Sequence, residues 1–384
     1  MKITILGTAY PMRGGMAHYA ALLYEYLKKR HDVNVISFSL QYPKILFPGK
    51  TQEEPQETQS EKTIQVSGNP LMNSINPFSW IKTAMYIIKN KPDLLIFNYW
   101  MPFFAPCYGT ITLLTKVFSK NIKIFYVCHN IIPHEKIFGT TLLTKYAFLA
   151  VDAGIVQSDS VEQEFVSLFP KKNFINSPHP VYTIFGDKPD KNSSKKELGV
   201  SEEKIILFFG YIRQYKGLDI LIEAMPEILK NVNLRLMVVG ESYEKNDKYL
   251  NMVEKLGLQN NVTLKTDYVP NDEVGKYFAA SDVVILPYRS ATQSGIVQIA
   301  YHFDKPVIVT NVGGLAEVVQ EGKTGFIVEP NNPKKIAAAI IKFYTENYET
   351  IFANNVTQEK KKYSCDTMVE NIEQLYNNIT KNKN

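Results

Sequence analysis

Two cations stand between a strand pattern and a helix pattern near the middle of the chain. The apolar run 205–209 leads into Gly210, then Arg213 and Lys216 follow, and the amphipathic run 218–229 begins directly afterwards. Backbone N–H groups at a helix N-terminus carry partial positive charge, and Arg and Lys add full charges beside them. The spacing predicts a site for a nucleotide diphosphate. A surface strand–helix connection with solvated cations also fits, because one glycine turn is a common feature.

A glycine pair follows the first predicted strand. Gly14 and Gly15 come after Arg13 and precede the helix-like run 16–30. Two glycines let the backbone approach a phosphate or a sugar closely, but they also permit a tight turn without any ligand. Both interpretations stay open from the residues alone.

Histidines cluster after a later strand of the same half. His129 and Asn130 follow the predicted strand 122–127, and His134 comes shortly after them. Ligands of parallel sheets bind beyond the carboxyl ends of the strands, so His129 is a candidate functional residue there. With His18, these histidines are expected on one face of a cleft. A core role for His129 and a loop ion pair for His134 remain alternatives.

Composition sets the class of protein. A chain of 384 residues predicts two or three domains, and 45% hydrophobic residues supply large cores. The net charge of +5 is too small to indicate a nucleic-acid partner, although it suits anionic substrates or an acidic membrane surface. Cys107, Cys128 and Cys365 are too far apart for a disulfide framework or a zinc cluster, which favours a reducing compartment.

Short apolar runs alternate with helical patterns along nearly the whole chain. Continuously apolar strands that alternate with helices predict parallel sheets covered on both faces. Two series of such strands predict an α/β protein with two Rossmann-like domains. The predicted strands are 3–6, 33–38, 94–98, 122–127 and 153–156 in the first series, and 205–209, 234–239, 262–265, 283–287, 306–310 and 325–328 in the second.

Polar segments and one apolar segment complete the outline. The charge-rich stretch 186–203 separates the two series, 50–62 has the composition of a mobile surface loop, and the tail 357–384 is a polar helix pattern. The stretch 101–115 is the most hydrophobic, but it is broken by prolines and is shorter than the about 20 residues of a membrane span. It predicts a buried helix, with a segment that dips into a membrane interface as the alternative.

Nearly the whole chain resembles the family 4 glycosyltransferases, often called group 1, which have the two-domain GT-B fold. The resemblance rests on several motifs in order. They are RGGMAHYAALLYEYLKKRHDVNVISF, the HN of His129-Asn130, FFGYIRQYKGLDILIEA, VPNDEVGKYFAASDVVILPYRS and KPVIVTNVGGLAEVVQEGKTGFIVEP.

The resemblance implies a fold and a reaction. It implies two Rossmann-like domains whose parallel sheets face a central cleft: an acceptor domain at 1–182, a donor domain at 183–356, and a helix at 357–384 that packs back toward the first domain. The implied reaction is a retaining transfer from a nucleotide diphosphate-sugar to a glycan or lipid-linked acceptor in cell-surface polysaccharide or glycoconjugate biosynthesis. No cofactor and no metal are expected, in keeping with the lack of any Asp-x-Asp.

The resemblance also assigns expected roles to residues. A cytoplasmic location is expected, and the mild basicity and the apolar stretch 101–118 suit peripheral contact with an anionic inner membrane face. The expected catalytic residues are His129, Arg213 and Lys216. The expected donor-binding residues are Gly14, Gly15, Asn130, Gly210, Tyr288, Gln293, Ser294, Gly295, Gln298 and Glu317. On the acceptor side the expected residues are His18, Trp100 and His134, with core packing as the alternative for Trp100.

One departure from the family pattern concerns two carboxylates. The family carries Glu-x7-Glu near Gly295, but here the aligned positions are Thr292 or Ala291 and Ile299. Gln293 and Gln298 are the nearest polar substitutes. The missing carboxylates favour one alternative function, a catalytically silent relative that binds a partner transferase. A nucleotide-sugar epimerase of the same fold, which needs no acceptor, is the other alternative.

Overall fold

The structure is a computed structural model that describes residues 1–47, 51–54, 64–132, 139–201, 204–242 and 247–381. The described chain divides into two compact units. The amino-terminal unit holds the described residues up to Pro180 and those from Tyr363 onward, and the carboxyl-terminal unit holds Val181–Lys362.

The amino-terminal unit is built on one seven-stranded parallel sheet with the strand order β3-β2-β1-β4-β5-β6-β7. Its central strands are mostly apolar and are buried on both faces, as β4 shows with every residue buried. The strands are β1 (Lys2–Leu6), β2 (Asp32–Leu40), β3 (Asn69–Asn73), β4 (Leu94–Tyr99), β5 (Lys123–Cys128), β6 (Ala153–Val156) and β7 (Asn173–Asn176). The helices between them are α1 (Gly15–Leu27), α2 (Pro77–Asn90), α3 (Ala105–Phe118), α4 (Thr140–Ala147) and α5 (Asp159–Leu168).

The carboxyl-terminal unit repeats this architecture with six parallel strands in the order β10-β9-β8-β11-β12-β13. The strands are β8 (Ile205–Phe209), β9 (Arg235–Val239), β10 (Val262–Lys265), β11 (Val283–Leu286), β12 (Val307–Thr310) and β13 (Gly325–Val328). The helices are α6 (Lys191–Glu197), α7 (Leu218–Asn231), α8 (Asp247–Lys255), α9 (Val274–Ala280), α10 (Gly295–His302), α11 (Pro333–Thr345) and α12 (Tyr348–Glu359). The predicted fold class, two Rossmann-like parallel sheets, is confirmed.

A last helix, α13 (Cys365–Lys381), returns to the amino-terminal unit. It packs against α1 and β7 with an apolar face that includes Met368 and Ile372. Polar contacts fix its position, because Glu373 accepts from His31 Nε2 at 2.7 Å and pairs with Arg30 at 2.8 Å. The amino-terminal unit therefore contains both the first strand, β1, and the helix α13.

Two segments differ from the sequence interpretation. The charge-rich separator contains the helix α6, whose first residue, Lys191, forms an ion pair with the buried Asp282 at 2.6 Å. In the predicted mobile loop, residues 51–54 are held in place, because the Gln52 side chain exchanges two hydrogen bonds with the backbone of Tyr42 at 2.8 and 2.9 Å. Residues 55–63 lie outside the described part of the chain.

The most hydrophobic stretch forms the predicted buried helix. Most of α3 faces the core, with Cys107, Tyr108 and Ile111 fully buried. Across the described ranges, no helix combines the length and the apolar character needed to cross a membrane.

Candidate functional site

A glycine-bounded turn joins β8 to α7 in the carboxyl-terminal unit. Gly210 has φ +103° and Gly217 has φ +67°, a region that side chains with a Cβ rarely adopt. Between them, Gln214–Lys216 form one turn of 3₁₀-helix. A Cβ on Gly217 would lie 2.0 Å from the carbonyl oxygen of Pro287, so only glycine fits this close approach to the end of β11. The turn is thus held tightly against the sheet.

Lys216 points back into this turn and is buried. Its side chain is only 7% exposed, and its Nζ lies 3.0 Å from the position of a Cβ on Gly210 and 5.4 Å from the ring centre of Tyr288. Desolvation, followed by the neighbouring charge of Arg213, lowers the pKa of the Lys216 ammonium from 10.5 to about 7. Within the ranges that the structure describes, no carboxylate pairs with it. The site therefore has a buried cation without an anionic partner among the described residues.

An ion pair fixes the outer side of the same turn. Arg289 donates from Nη1 and Nη2 to the two carboxylate oxygens of Asp219, both at 2.9 Å. Its Nη1 also donates to the carbonyl of Gln214 at 2.7 Å, and its backbone N–H donates to Tyr215. Arg213 is exposed on this turn. A bidentate pair of this kind sets geometry as well as charge, so it positions the turn that carries both cations.

The start of α10 lies beside Gly210. The side chain of Ile296 would be 3.2 Å from a Cβ on Gly210. Ser294 caps α10 by accepting from the Ile296 N–H at 3.3 Å, and its hydroxyl lies 3.4 Å from that of the buried Tyr288. The turn at Lys216 and the N-terminus of α10 at Gly295 are thus neighbours. Together they offer positive charge and backbone donors to one anion.

Gln298 lies one turn further along α10. It is 1% exposed, and its Oε1 has no hydrogen-bond partner among the residues that the structure describes. Gln293 is half-buried just before the helix. A buried amide oxygen without a partner is unusual, which makes Gln298 a candidate acceptor for a ligand hydroxyl.

A second glycine pair packs on the same segment. Gly313 has φ +44°, and its Cβ would lie 1.8 Å from the carbonyl oxygen of Ala291. The N–H of Gly314 donates to the carbonyl of Thr292 at 3.0 Å. Glu317 lies exposed after this short turn. The glycine loop therefore positions residues 291–293, the segment in which the family carries its first carboxylate.

In the amino-terminal unit, His129 lies at the carboxyl end of β5. It is buried, its N–H donates to the carbonyl of Tyr99 at 2.9 Å, and its Nε2 donates to Oδ1 of Asn98 at 3.4 Å. Burial, and then the nearby imidazole of His179, hold the pKa of His129 well below its ordinary 6.5. At neutral pH this side chain is an uncharged imidazole.

Two further rings surround His129. The ring of Tyr19 contacts it edge-on at 4.5 Å, and the ring of His179 lies 5.2 Å from Tyr19 and 6.1 Å from His129. Gln157 donates to the Tyr19 hydroxyl at 3.0 Å. Burial lowers the pKa of His179 to about 4, so both imidazoles are neutral at pH 7. The sequence interpretation assigned no role to Tyr19, His179 and Asn98. Tyr19 lies within the motif of the first helix, whereas His179 and Asn98 lie outside the quoted motifs.

The glycine pair of the amino-terminal unit begins α1. Gly14, with φ +100°, is the N-cap, and its carbonyl accepts from the N–H of His18, which is half-buried. Gly15 is exposed, and no heavy atom lies within 4 Å of the position of its Cβ. Arg13 donates from Nε to the carbonyl of Thr51 at 2.9 Å. The loop thus has open space at Gly15 and a fixed flank at Arg13.

The remaining predicted residues have differing surroundings. Trp100 is half-buried, donates from Nε1 to the Tyr42 hydroxyl at 3.1 Å and packs on Phe104 at 4.4 Å. Asn130 is half-buried next to His129. His134 lies outside the described residues. No group of three His, Cys, Asp or Glu side chains arranged to hold a metal occurs in the described ranges.

Models of glycosyltransferase families match both halves of the chain. A model described as Glycosyltransferase Family 4 matches residues 13–175, and one described as Glycosyl transferases group 1 matches residues 190–363. The uncharacterised glycosyltransferase MJ1607 of Methanocaldococcus jannaschii is 30% identical over 232 residues, 58% of this chain. The chain spans 59% of that relative's length.

Two further proteins match over most of both chains. The N-acetyl-alpha-D-glucosaminyl L-malate synthase of Bacillus anthracis is 26% identical over 357 residues, 88% of this chain and 86% of that protein. The crystal structure of Anabaena HepE in complex with UDP superposes with a TM-score of 0.74 at 19% identity, covering 97% of this chain and 99% of that one. This structural likeness shows the shared fold.

Proposed function

The chain belongs to the group 1 glycosyltransferases, and we propose that it catalyses a retaining, metal-independent transfer of a sugar from a nucleotide diphosphate-sugar to a glycan or lipid-linked acceptor. The observation that carries the proposal is the buried Lys216 ammonium, which has no anionic partner within the described ranges. Burial of an unpaired cation is costly, and a bound diphosphate would remove that cost.

The charges around Lys216 suit the bond that breaks. The bond between the anomeric carbon and the β-phosphate oxygen breaks, and its electron pair stays on that oxygen. The acceptor hydroxyl oxygen bonds to the carbon, and its proton passes to the leaving diphosphate. Negative charge therefore grows on the leaving diphosphate. Lys216, Arg213 and the N-terminus of α10 would stabilise it, and the loss of one such donor costs on the order of 10²–10³ in rate at comparable sites.

His129 would contribute as a neutral group. An imidazole that stays uncharged at pH 7 can donate to or accept from a sugar hydroxyl, but it does not neutralise a phosphate. Gln298, with its buried amide oxygen, would accept from a hydroxyl next to Ile299, the position at which other family members have a carboxylate. We propose one uncharged hydroxyl contact in each unit, from His129 in the amino-terminal unit and from Gln298 in the carboxyl-terminal unit.

Nucleotide binding gives the direct test. Titration calorimetry with UDP, GDP and ADP should show one preferred nucleotide, and UDP is the first to try because Anabaena HepE binds it. We expect Lys216→Met and Arg213→Ala to weaken binding at least tenfold. The matched control is Lys230→Ala at the far end of α7, whose side chain is 69% exposed and should leave affinity unchanged. Equal affinity in all four proteins would refute the diphosphate site.

Turnover separates the proposed reaction from its alternatives. We would measure the release of nucleotide from a nucleotide-sugar with and without EDTA, which tests metal independence. Proton NMR of the glycoside product reports the anomeric configuration and therefore tests retention. A donor that is converted to an isomer without transfer would replace the proposal with an epimerase. Nucleotide binding without any turnover, over a panel of donors and acceptors, would favour the silent partner-binding relative.

A further inference from the structure

Helix α2 presents large apolar side chains to the outside of the amino-terminal unit. Phe78 is 81% exposed, Met85 55% and Ile81 49%. These residues recur at helical spacing on one face, and Lys82 and Lys89 are exposed beside them. The helix is anchored from its opposite face, which buries other residues, so its outer apolar side chains are not needed to hold it in place.

The neighbouring helices extend this surface. Helix α2 packs on α3 and α3 packs on α4, which together form one layer on the sheet. At the end of α3, Phe118 is 66% exposed, and in α4 Leu142 is 74% exposed. None of the three helices contains an Asp or a Glu. The outer face of α2, α3 and α4 is called here the acid-free layer. It combines exposed apolar groups with lysines, which are the charged side chains of these three helices.

The helices that precede and follow the layer in the sequence differ in charge. The next helix, α5, carries Asp159, Glu162 and Glu164, and α1 carries Glu25. A shallow apolar depression is lined by Leu71 of β3 and by residues of α2, among them Met85 and both exposed lysines of that helix. Lysines and apolar groups thus lie side by side on α2.

We propose that the acid-free layer docks the amino-terminal unit on a bilayer that contains anionic phospholipid. A helix with apolar side chains flanked by lysines is typical of an interfacial helix, in which the apolar groups enter the headgroup boundary and the lysines contact lipid phosphates. A second copy of this chain fits less well. In a symmetric pairing the Lys82 and Lys89 of both copies would face each other, without any acid on α2 to neutralise them.

The docking surface differs from the one that hydropathy indicates. The most hydrophobic stretch, 101–115, turns most of its apolar side chains into the core. The exposed apolar residues are instead concentrated on α2, which has only moderate overall hydrophobicity. The acid-free layer and the nucleotide site share no residue, because every residue of the layer lies outside the turn that carries Lys216.

Vesicle sedimentation tests the proposal with the full chain. We expect binding to phosphatidylcholine vesicles that contain phosphatidylglycerol, and little binding to phosphatidylcholine alone. Lys82→Glu with Lys89→Glu should weaken binding more than twentyfold, because each lysine near an anionic surface is worth about fivefold. Phe78→Ser with Met85→Ser should weaken it at least tenfold.

The matched control lies in the other unit. Ile351→Ser on α12 removes an apolar side chain that is 54% exposed and should leave vesicle binding unchanged. All variants should keep the melting temperature and the nucleotide affinity of the parent, so a failure here is distinct from a failure of the proposed function. Equal binding to both vesicle types, or unchanged binding of either double variant, would overturn the proposal. Concentration-dependent dimerisation that Phe78→Ser/Met85→Ser abolishes, without vesicle binding, would assign the layer to self-association.

Discussion

The buried lysine makes nucleotide affinity depend on pH in a calculable way. With a pKa of about 7, half of the Lys216 side chains are protonated at pH 7, and only about 1% are at pH 9. A diphosphate supplies the missing counter-charge and raises the pKa in the complex, so binding takes up a proton. The dissociation constant for UDP, or for the preferred nucleotide diphosphate, should therefore rise about fiftyfold from pH 7 to pH 9.

Calorimetry measures both sides of this linkage. At pH 8 about 0.9 proton should be taken up for each nucleotide bound, which appears as a binding enthalpy that changes with the ionisation enthalpy of the buffer. Lys216→Arg is the matched variant, because a guanidinium stays protonated over the whole range. Its affinity should be nearly constant from pH 7 to pH 9. A parent enzyme with the same dissociation constant at both pH values, and no proton uptake, would refute the reasoning.

Three further outcomes are expected from the same structure. Lys216→Met should stabilise the ligand-free protein at pH 7, because the pKa of Lys216 in the folded protein lies below the ordinary 10.5 and folding therefore disfavours its charged form. The parent gains stability as the pH rises above about 7, so the advantage of the variant should shrink by about 2 kcal/mol at pH 9 in denaturant titrations. Gly217→Ala should lower the free energy of unfolding by more than about 3 kcal/mol, since its Cβ would overlap the carbonyl of Pro287. Gly257 also has φ +67° but has open space around its Cβ, so Gly257→Ala should cost about 1–2 kcal/mol. Similar losses for both variants would contradict the close approach. Because burial holds the pKa of His129 well below 6.5, its ring nitrogens should keep neutral ¹⁵N chemical shifts as the pH falls through 6.5. A titration midpoint near 6.5 would instead show that the imidazole is solvated.

The parallel sheets could be predicted because their central strands are apolar on both faces. Two strands escaped the pattern, β3 and β7, and they form the two edges of the amino-terminal sheet. Asn69 and Pro70 begin β3, and asparagines flank β7 at both ends. An edge strand is paired on one side only, so its formation depends on a neighbour rather than on its own composition.

The candidate site was only partly predictable for a related reason. Arg213 and Lys216 lie close to their glycines in the sequence, so the turn that they share could be predicted from the sequence. The Arg289–Asp219 pair that fixes this turn joins residues 70 positions apart. The rings around His129 likewise come from separate elements. Burial of Lys216, which sets its pKa, arises from packing against Tyr288 and α10 and leaves no local pattern.

The return of α13 to the amino-terminal unit affects the order in which the protein is made. Every residue of Val181–Lys362 leaves the ribosome before α13 does. At about 5–20 residues per second, the first unit waits roughly 10–40 s for its last helix. During that interval the faces of α1 and β7 that α13 covers are exposed, and His31 and Arg30 have no Glu373 to pair with. The carboxyl-terminal unit is the half that can finish folding first, although its sequence comes second.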